Sequence, residues 1–290
     1  MRTRNVILSL VAAVLLAVSC KQKQEAPESI IGPETKVVTL NGTLTEVVCA
    51  LGFESNLVGV DVTSTYPASV LSLPKAGHTR SITAEGLLSM NPEVVLAIDG
   101  EINPEMKQQL SAAGVKLYLF PAAYNVEEAD HLIQTLADTL GVSDKAAAIK
   151  EDIASKLARV QPIEPQPKVL FIYARGAGML MVAGEKTALN NVIKLAGAQN
   201  AVGGFEDFKP LSPEVLVEAN PDIILLFDSG IQSLEGEKGL LAVPGLAQTN
   251  AGKNKAFISM DGQYLSGFGP RLGDAVLELN QKILALTAPK

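Results

Sequence analysis

The chain has 290 residues, a formal net charge of -7 and 47% hydrophobic residues, with no tryptophan and two cysteines. An acidic chain without a lysine- or arginine-rich cluster does not read as a nucleic-acid binder. Two cysteines build no disulfide framework, and the length suffices for one large domain or two smaller ones.

Residues 1–19 read as a signal peptide. Arg2 and Arg4 give a basic start, residues 6–18 are almost wholly apolar, and that run is too short to be a membrane span by default. Cys20 follows Ser19 in the string LLAVSC, which looks like the lipobox of bacterial lipoproteins except at Ala17, where leucine is commoner. In a lipobox the cysteine sulfur is acylated and the chain is cut just before it. An ordinary secreted protein with a stray cysteine is the alternative. Residues 20–35 then form a polar tether too poor in apolar side chains to fold alone. Cleavage leaves 271 residues with a formal charge of -9. Cys49 lies in the apolar run VVCAL and reads as a small buried hydrophobe.

Residues 36–40 (KVVTL) read as a strand, followed by Asn41-Gly42 and a helix capped by Thr43 or Thr45 and stopped at Gly52. A second strand covers 57–60. Ser81 and Thr83 precede a short helix over 84–89. Residues 93–98 are almost continuously apolar, the mark of a strand in a sheet covered on both faces. Another strand spans 115–120. This β-α-β-α-β order predicts a parallel sheet with right-handed crossovers and an N-terminal lobe over 36–142.

Residues 143–160 (SDKAAAIKEDIASKLARV) combine strong helix formers with an apolar face of Ala147, Ile149, Ile153, Leu157 and Val160. Ser143 is the expected cap, and Pro162, Pro165 and Pro167 follow in a stiff extended stretch. A single helix bounded at 143–161 therefore joins the N-terminal lobe to a C-terminal lobe over 162–290. That second lobe reads as a strand at 168–173, a helix at 187–195 closed by Gly197, a helix at 213–219, a buried strand at 222–227, a late strand at 255–258 and a terminal helix within 269–286. The expected fold is α/β: two three-layer lobes with mainly parallel sheets, one long joining helix and a ligand cleft between the lobes. A helical joint predicts small lobe movements and a largely preformed cleft.

One segment is written twice. Residues 82–98 (ITAEGLLSMNPEVVLAI) and 211–227 (LSPEVLVEANPDIILLF) share a glutamate, Asn-Pro six residues later, an acidic residue and an apolar run, all offset by 129 residues. That spacing is too long for a solenoid unit and fits two similar lobes facing each other.

The segments TLNGTLTEVVCALG (39–52), LVGVDVTSTYP (57–67), AGHTRSITAEGLLSMNPEVVLA (76–97), MVAGEKTALNNVIKLAG (181–197), FKPLSPEVLVEANPDIIL (208–225) and GFGPRLGDAV (267–276) resemble the substrate-binding proteins of bacterial ABC importers of the helical-backbone class. This class carries haem, cobalamin and ferric siderophores, and the haem-binding branch is the best match. The resemblance implies a non-enzymatic, periplasmic, lipid-anchored monomer. It would carry haem to a membrane-embedded ABC permease dimer with its ATPase. It places the haem-iron ligand on Tyr66 of DVTSTYP, and ferric iron, a hard acceptor, suits a phenolate. Arg80 is expected to pair with a propionate or the phenolate, and His78 to touch the haem edge or an axial site. The loop 173–178 (YARGAG) has no histidine, so the sixth position is left open, water-filled or approached by Tyr173. Arg175 is a propionate candidate, and Met179 and Met181 can lie against the porphyrin. The resemblance also implies that Glu85 and Glu214 dock on arginines of the two permease subunits. A ferric-siderophore or cobalamin carrier is the alternative within the class. An enzyme is disfavoured, because only His78 and His131 occur and no HExxH, CxxC, serine-elbow or phosphate-loop motif is present. An adhesive surface protein would leave the cleft residues unexplained.

Overall fold

A computed structural model describes residues 30–78 and 81–288. The expectations for the signal peptide, Cys20 and Arg80 lie outside the described residues.

The first lobe holds a four-stranded, wholly parallel sheet ordered β2-β1-β3-β4, with β1 at Val37–Thr39, β2 at Leu57–Val60, β3 at Val94–Ile98 and β4 at Lys116–Phe120. Both faces are covered. Val94, Leu96 and Ile98 enter one apolar cluster while Val95 and Ala97 enter another, as the period of two demands. Helices α1 (Gly42–Ala50) and α4 (Val126–Thr139) cover the first face, and α2 (Ala84–Leu88) and α3 (Pro104–Ala112) the second. The cap of α1 is Asn41, whose Oδ1 accepts from the Thr43 and Leu44 amides, rather than either threonine. Thr45 is instead spent inside the lobe, as shown below. Asn56 Nδ2 donates to the carbonyls of Gly32, Pro33 and Thr35, so residues 30–35 of the expected tether are packed against this lobe.

Helix α5 (Lys145–Leu157) is unbroken but shorter than 143–160. Its N-cap is Asp144, without a side-chain cap bond. Ser143 instead bonds Asp138 at the end of α4, and with Gln134 this holds the Asp138 carboxyl below its usual range. The inward face runs through Ala146, not Ala147, with Ile149, Ile153 and Leu157.

The second lobe is mixed, with a parallel centre, as a mainly parallel sheet requires, and an antiparallel edge. Its sheet runs β10-β9-β5-β6-β8, with β7 (Gln199–Asn200) also paired to β5. Strands β5 (Lys168–Ala174), β9 (Ile223–Phe227) and β10 (Phe257–Met260) are parallel, whereas β6 (Leu180–Ala183), added at one edge, runs antiparallel to both β5 and the outermost strand β8 (Phe208–Pro210). Helices α6 (Ala188–Leu195), α7 (Pro213–Ala219), α8 (Asp228–Ser233), α9 (Glu237–Leu241), α10 (Asn250–Asn254), α11 (Gly262–Ser266) and α12 (Leu272–Thr287) complete the lobe. Lys255 adopts a left-handed conformation (φ 51°) at the end of α10, which delays β10 to residue 257.

The written repeat has a structural counterpart. Glu85 and Glu214 each occupy the second residue of a helix capped by a hydroxyl, Thr83 in one lobe and Ser212 in the other. Asn91 and Asn220 both take positive φ, 54° and 40°, so each turns the chain out of its helix. Glu93 Oε2 accepts from the Lys36 amide at 2.9 Å, and Asp222 Oδ2 accepts from the Lys168 amide at 2.9 Å. In both lobes the acidic residue thus ties the start of one strand to its neighbour.

Beside an apolar cluster of its own, each lobe contributes to a shared one. One cluster runs from β3 through Leu132 and Leu136 of α4 and Ile153 of α5 to Phe171, Leu225, Val276 and Leu279. Helix α12 crosses α5 closely at Gly273, where an added Cβ would lie 3.0 Å from the Ile153 carbonyl oxygen. Asn280, wholly buried, clamps the crossing by bonding both the amide and the carbonyl of Gln161 and the carbonyl of Ala196. These links resist hinge motion. Solution scattering should give radii of gyration with and without cleft ligand that agree within about 1 Å, and a larger compaction on binding would contradict the rigid joint.

Candidate functional site

Tyr66 is positioned by a buried hydroxyl network at the end of β2. Asp61 is fully buried; its Oδ2 accepts from the amide and hydroxyl of Thr63, and its Oδ1 accepts from Ser64 Oγ at 2.6 Å. The Ser64 and Thr45 hydroxyls pair at 2.6 Å, those of Thr45 and Thr39 also pair at 2.6 Å, and Thr45 Oγ1 donates to the Asn41 carbonyl at 3.1 Å. Thr63 Oγ1 also accepts from the Gly42 amide at 3.0 Å, and Lys75 Nζ donates to the carbonyls of Ser64 and Val70, both at 3.1 Å. The short polar residues of DVTST therefore spend their bonding capacity inside the lobe. The Tyr66 side chain that follows them is 47% exposed, and its bond to Pro67 is cis.

The exposed ring meets the other lobe. The Arg271 guanidinium lies 4.0 Å from the Tyr66 ring centroid and 4.8 Å from that of Tyr264, both within cation–π range. Arg271 forks onto Glu46 of α1, with Nε to Oε2 at 2.8 Å and Nη2 to Oε1. Burial raises the Glu46 pKa, and the Arg271 contact opposes that rise. Burial is the strongest single influence and works against the Arg271 charge, but the bond to Glu46 together with the charges of Glu46, Asp261 and Tyr66 outweighs it and the guanidinium pKa is raised. Tyr264 is held firmly as a neutral phenol by burial and by the carboxylates of Glu278 and Asp274. Gln263 Nε2 donates to Thr43 Oγ1 at 3.1 Å, a further bond across the lobes.

A cavity of about 550 Å³ lies between His78 of the first lobe and Tyr173, Arg175, Met179, Met181, Asp207 and Phe208 of the second. It is built where the central strand meets the added edge: Tyr173 pairs with Met181 across β5 and β6, and Gly176 (φ 70°) turns the hairpin. The Arg175 guanidinium lies 5.7 Å from the Tyr173 ring centroid. A second chamber of about 540 Å³ shares Tyr173, Asp207 and Phe208 and continues to Tyr124, Lys186, Phe227 and Ser266. The Tyr173 and Phe227 rings meet edge-on at 6.3 Å. Lys186 is paired with Glu206 at 2.7 Å on the exposed rim. Helix α11 connects this cleft to Tyr66, since it carries both Ser266 and Tyr264. Six of the chain's thirteen aromatic residues thus gather here: Tyr66, Tyr124, Tyr173, Phe208, Phe227 and Tyr264. Such a surface suits a flat conjugated ligand.

His78, Tyr173, Arg175 and Met181, expected from the sequence, therefore share one cavity. Tyr66 is not among that cavity's lining residues and sits beside it, under Arg271. Glu85 and Glu214 are exposed at the starts of α2 and α7, away from the cavity lining. Sequence reasoning missed Arg271, Tyr264, Glu46 and Lys186. Arg271 had a signal, being the lone cation of GFGPRLGDAV, but its partner Glu46 lies 225 residues away. Cys49 is half-buried rather than fully buried; burial, Glu54 and Glu46 push its thiol up to about 12, so it is unreactive at neutral pH.

The profile of the family described as "Periplasmic binding protein" matches residues 37–264. Among solved structures, the chain is similar to the periplasmic heme-binding protein RhuT from Roseiflexus sp. RS-1 in apo form, with 37% identity and a TM-score of 0.84 over 88% of this chain and all of that one. It is similar also to the periplasmic heme-binding protein BhuT in complex with two hemes, with 37% identity and a TM-score of 0.81 over 87% of this chain and 99% of that one. An uncharacterized ABC transporter substrate-binding lipoprotein of Bacillus subtilis (strain 168), YvrC, is 27% identical over 255 residues, covering 86% of this chain and 79% of that protein. With most of its length matched by the family profile, and with two α/β lobes flanking a cleft, the chain belongs to the periplasmic binding protein family, whose members bind ligands rather than catalyse reactions.

Proposed function

We propose that the chain is the substrate-binding protein of an ABC importer and carries ferric haem in the cleft between its lobes. The observation that carries this reading is the half-exposed phenol of Tyr66 lying beneath the Arg271 guanidinium, beside an aromatic-lined cleft. A phenol loses its proton when it ligates ferric iron, a hard acceptor that favours the phenolate oxygen. Arg175 and Lys186 stand at different parts of the cleft as partners for propionates, Met179 and Met181 offer polarizable contact to the porphyrin, and His78 and Tyr173, which line the same cavity, are the candidates for a second axial ligand. The heme-binding relatives RhuT and BhuT support the cargo, and the lipoprotein relative YvrC supports a lipid anchor at Cys20 in the periplasm.

Titration of the mature protein with hemin tests the reading. A Soret band that saturates at one equivalent is expected. A protein that ignores hemin but retains cobalamin or a ferric siderophore would overturn it.

The partner is a membrane-embedded ABC permease dimer with its ATPase, engaged through Glu85 and Glu214. Their matched places in the two lobes support this pairing with a two-fold partner. Glu85→Ala combined with Glu214→Ala should leave hemin binding intact while reducing reconstituted transport by about tenfold or more. Wild-type transport by the double variant would remove the pair from the interface.

A further inference from the structure

Tyr66 is held by its backbone in one lobe and by its ring against the other. The Asp61 network fixes the chain just before it. Its side chain is 47% exposed, and among the described residues no hydrogen bond reaches the phenol oxygen. What the ring does touch is the Arg271 guanidinium, 4.0 Å away, at the start of α12. That guanidinium is itself oriented from the first lobe. Its Nε and Nη2 are both spent on the two carboxylate oxygens of Glu46, whose side chain is only 5% exposed. A two-point bond between planar groups fixes the plane of the guanidinium as well as its place. Among the described residues no other side chain hydrogen-bonds it, and Tyr264, 4.8 Å from ring centroid to cation, is its aromatic neighbour in the second lobe. The lobes also meet closely around this pair. An added Cβ at Gly42 would lie 2.5 Å from Gln263 Cδ, and one at Gly269 would lie 3.0 Å from Thr43 Cγ2.

We propose, resting on Tyr66 as the iron ligand, that Glu46 is a positioning residue for it, acting through Arg271 across the boundary between the lobes. The buried carboxylate sets the plane of the guanidinium, and the guanidinium sets the tilt of the Tyr66 ring. An exposed tyrosine without such a contact samples several rotamers, and every rotamer that turns the oxygen away from the iron lowers affinity. Glu46 thereby preorganises a metal bond that it does not touch. Glu46 and Tyr66 belong to the first lobe and Arg271 to the second. The ring is therefore held only while the lobes are apposed, and separating them at this seam frees the iron ligand and speeds the loss of haem.

The test is a double-mutant cycle on the mature protein, read by hemin titration, by the phenolate-to-iron charge-transfer band and by the rate of haem loss to apomyoglobin. Glu46→Gln should weaken ferric haem binding about tenfold, speed haem loss by a similar factor and broaden the band. Placed on Tyr66→Phe, the same change should alter affinity by less than about twofold, because no iron–oxygen bond is left to align. Arg271→Lys keeps a cation opposite Glu46 but lacks the flat fork, so it should reproduce the tenfold loss and the broadened band. If Glu46→Gln fails to fold, Arg271→Lys on the two backgrounds completes the cycle. A loss of equal size on Tyr66→Phe would make the pair a purely structural link and overturn the proposal, as would wild-type binding by Arg271→Lys. If Tyr66→Phe alone keeps the wild-type band and affinity, the ligand assignment falls and the positioning role with it.

Discussion

Replacing Tyr66 by phenylalanine should abolish the phenolate-to-iron charge-transfer band and weaken ferric haem binding by roughly 100-fold, about 2.7 kcal/mol. The change deletes one oxygen. The ring, its stack beneath Arg271 and the backbone before Pro67 all remain, so contacts to the porphyrin survive and only the metal bond is lost. Because the side chain is 47% exposed, no buried hydrogen bond is broken, and stability should move by no more than about 0.5 kcal/mol. A mutant that keeps both the wild-type spectrum and the wild-type affinity would assign the iron to another residue, with Tyr173 and His78 next in place.

The second large effect belongs to a residue that touches no ligand. Asp61→Ala removes the acceptor for the Thr63 amide, the Thr63 hydroxyl and the Ser64 hydroxyl in a fully buried position. Orphaning several donors there should cost about 3–5 kcal/mol, and thermal unfolding should move down by roughly 10 °C. Asp61→Asn keeps the size but turns an N–H toward donors, so it should recover only part of the loss. Hemin affinity should fall with both, since the segment delivering Tyr66 loses its anchor. An alanine variant as stable as the wild type would show that water replaces the carboxylate and that the network is not what holds the loop.

Much of this architecture was legible because buried parallel strands write themselves as apolar runs and helix ends write themselves as caps. Residues 94–98 and 223–227 have no polar face to disguise them, and Asn91 and Asn220 mark the same left-handed exit in both lobes. The antiparallel edge over 180–183 and 208–210 was not legible. It is short, partly exposed, and carries Met, Lys and Pro where a buried strand would carry branched aliphatics. That edge supplies Met181 and Phe208 to the cleft, so the part of the fold hardest to read is also part of the site. Tyr66 was legible through its polar prefix, whose logic is local. Arg271 and Glu46 were not, because their pairing is made only when the last helix returns to the first lobe.

That return has a consequence for how the molecule comes apart. Val94, Ile153, Leu225 and Val276 belong to one apolar cluster, so neither half of the repeat owns a complete interior. Calorimetry should therefore record a single endotherm with equal calorimetric and van't Hoff enthalpies, not two. Either half expressed alone would expose the faces that α5 and α12 now share. What the repeat preserves is a pattern of strands and turns and not two self-sufficient interiors, which is why one transition is expected for the intact chain.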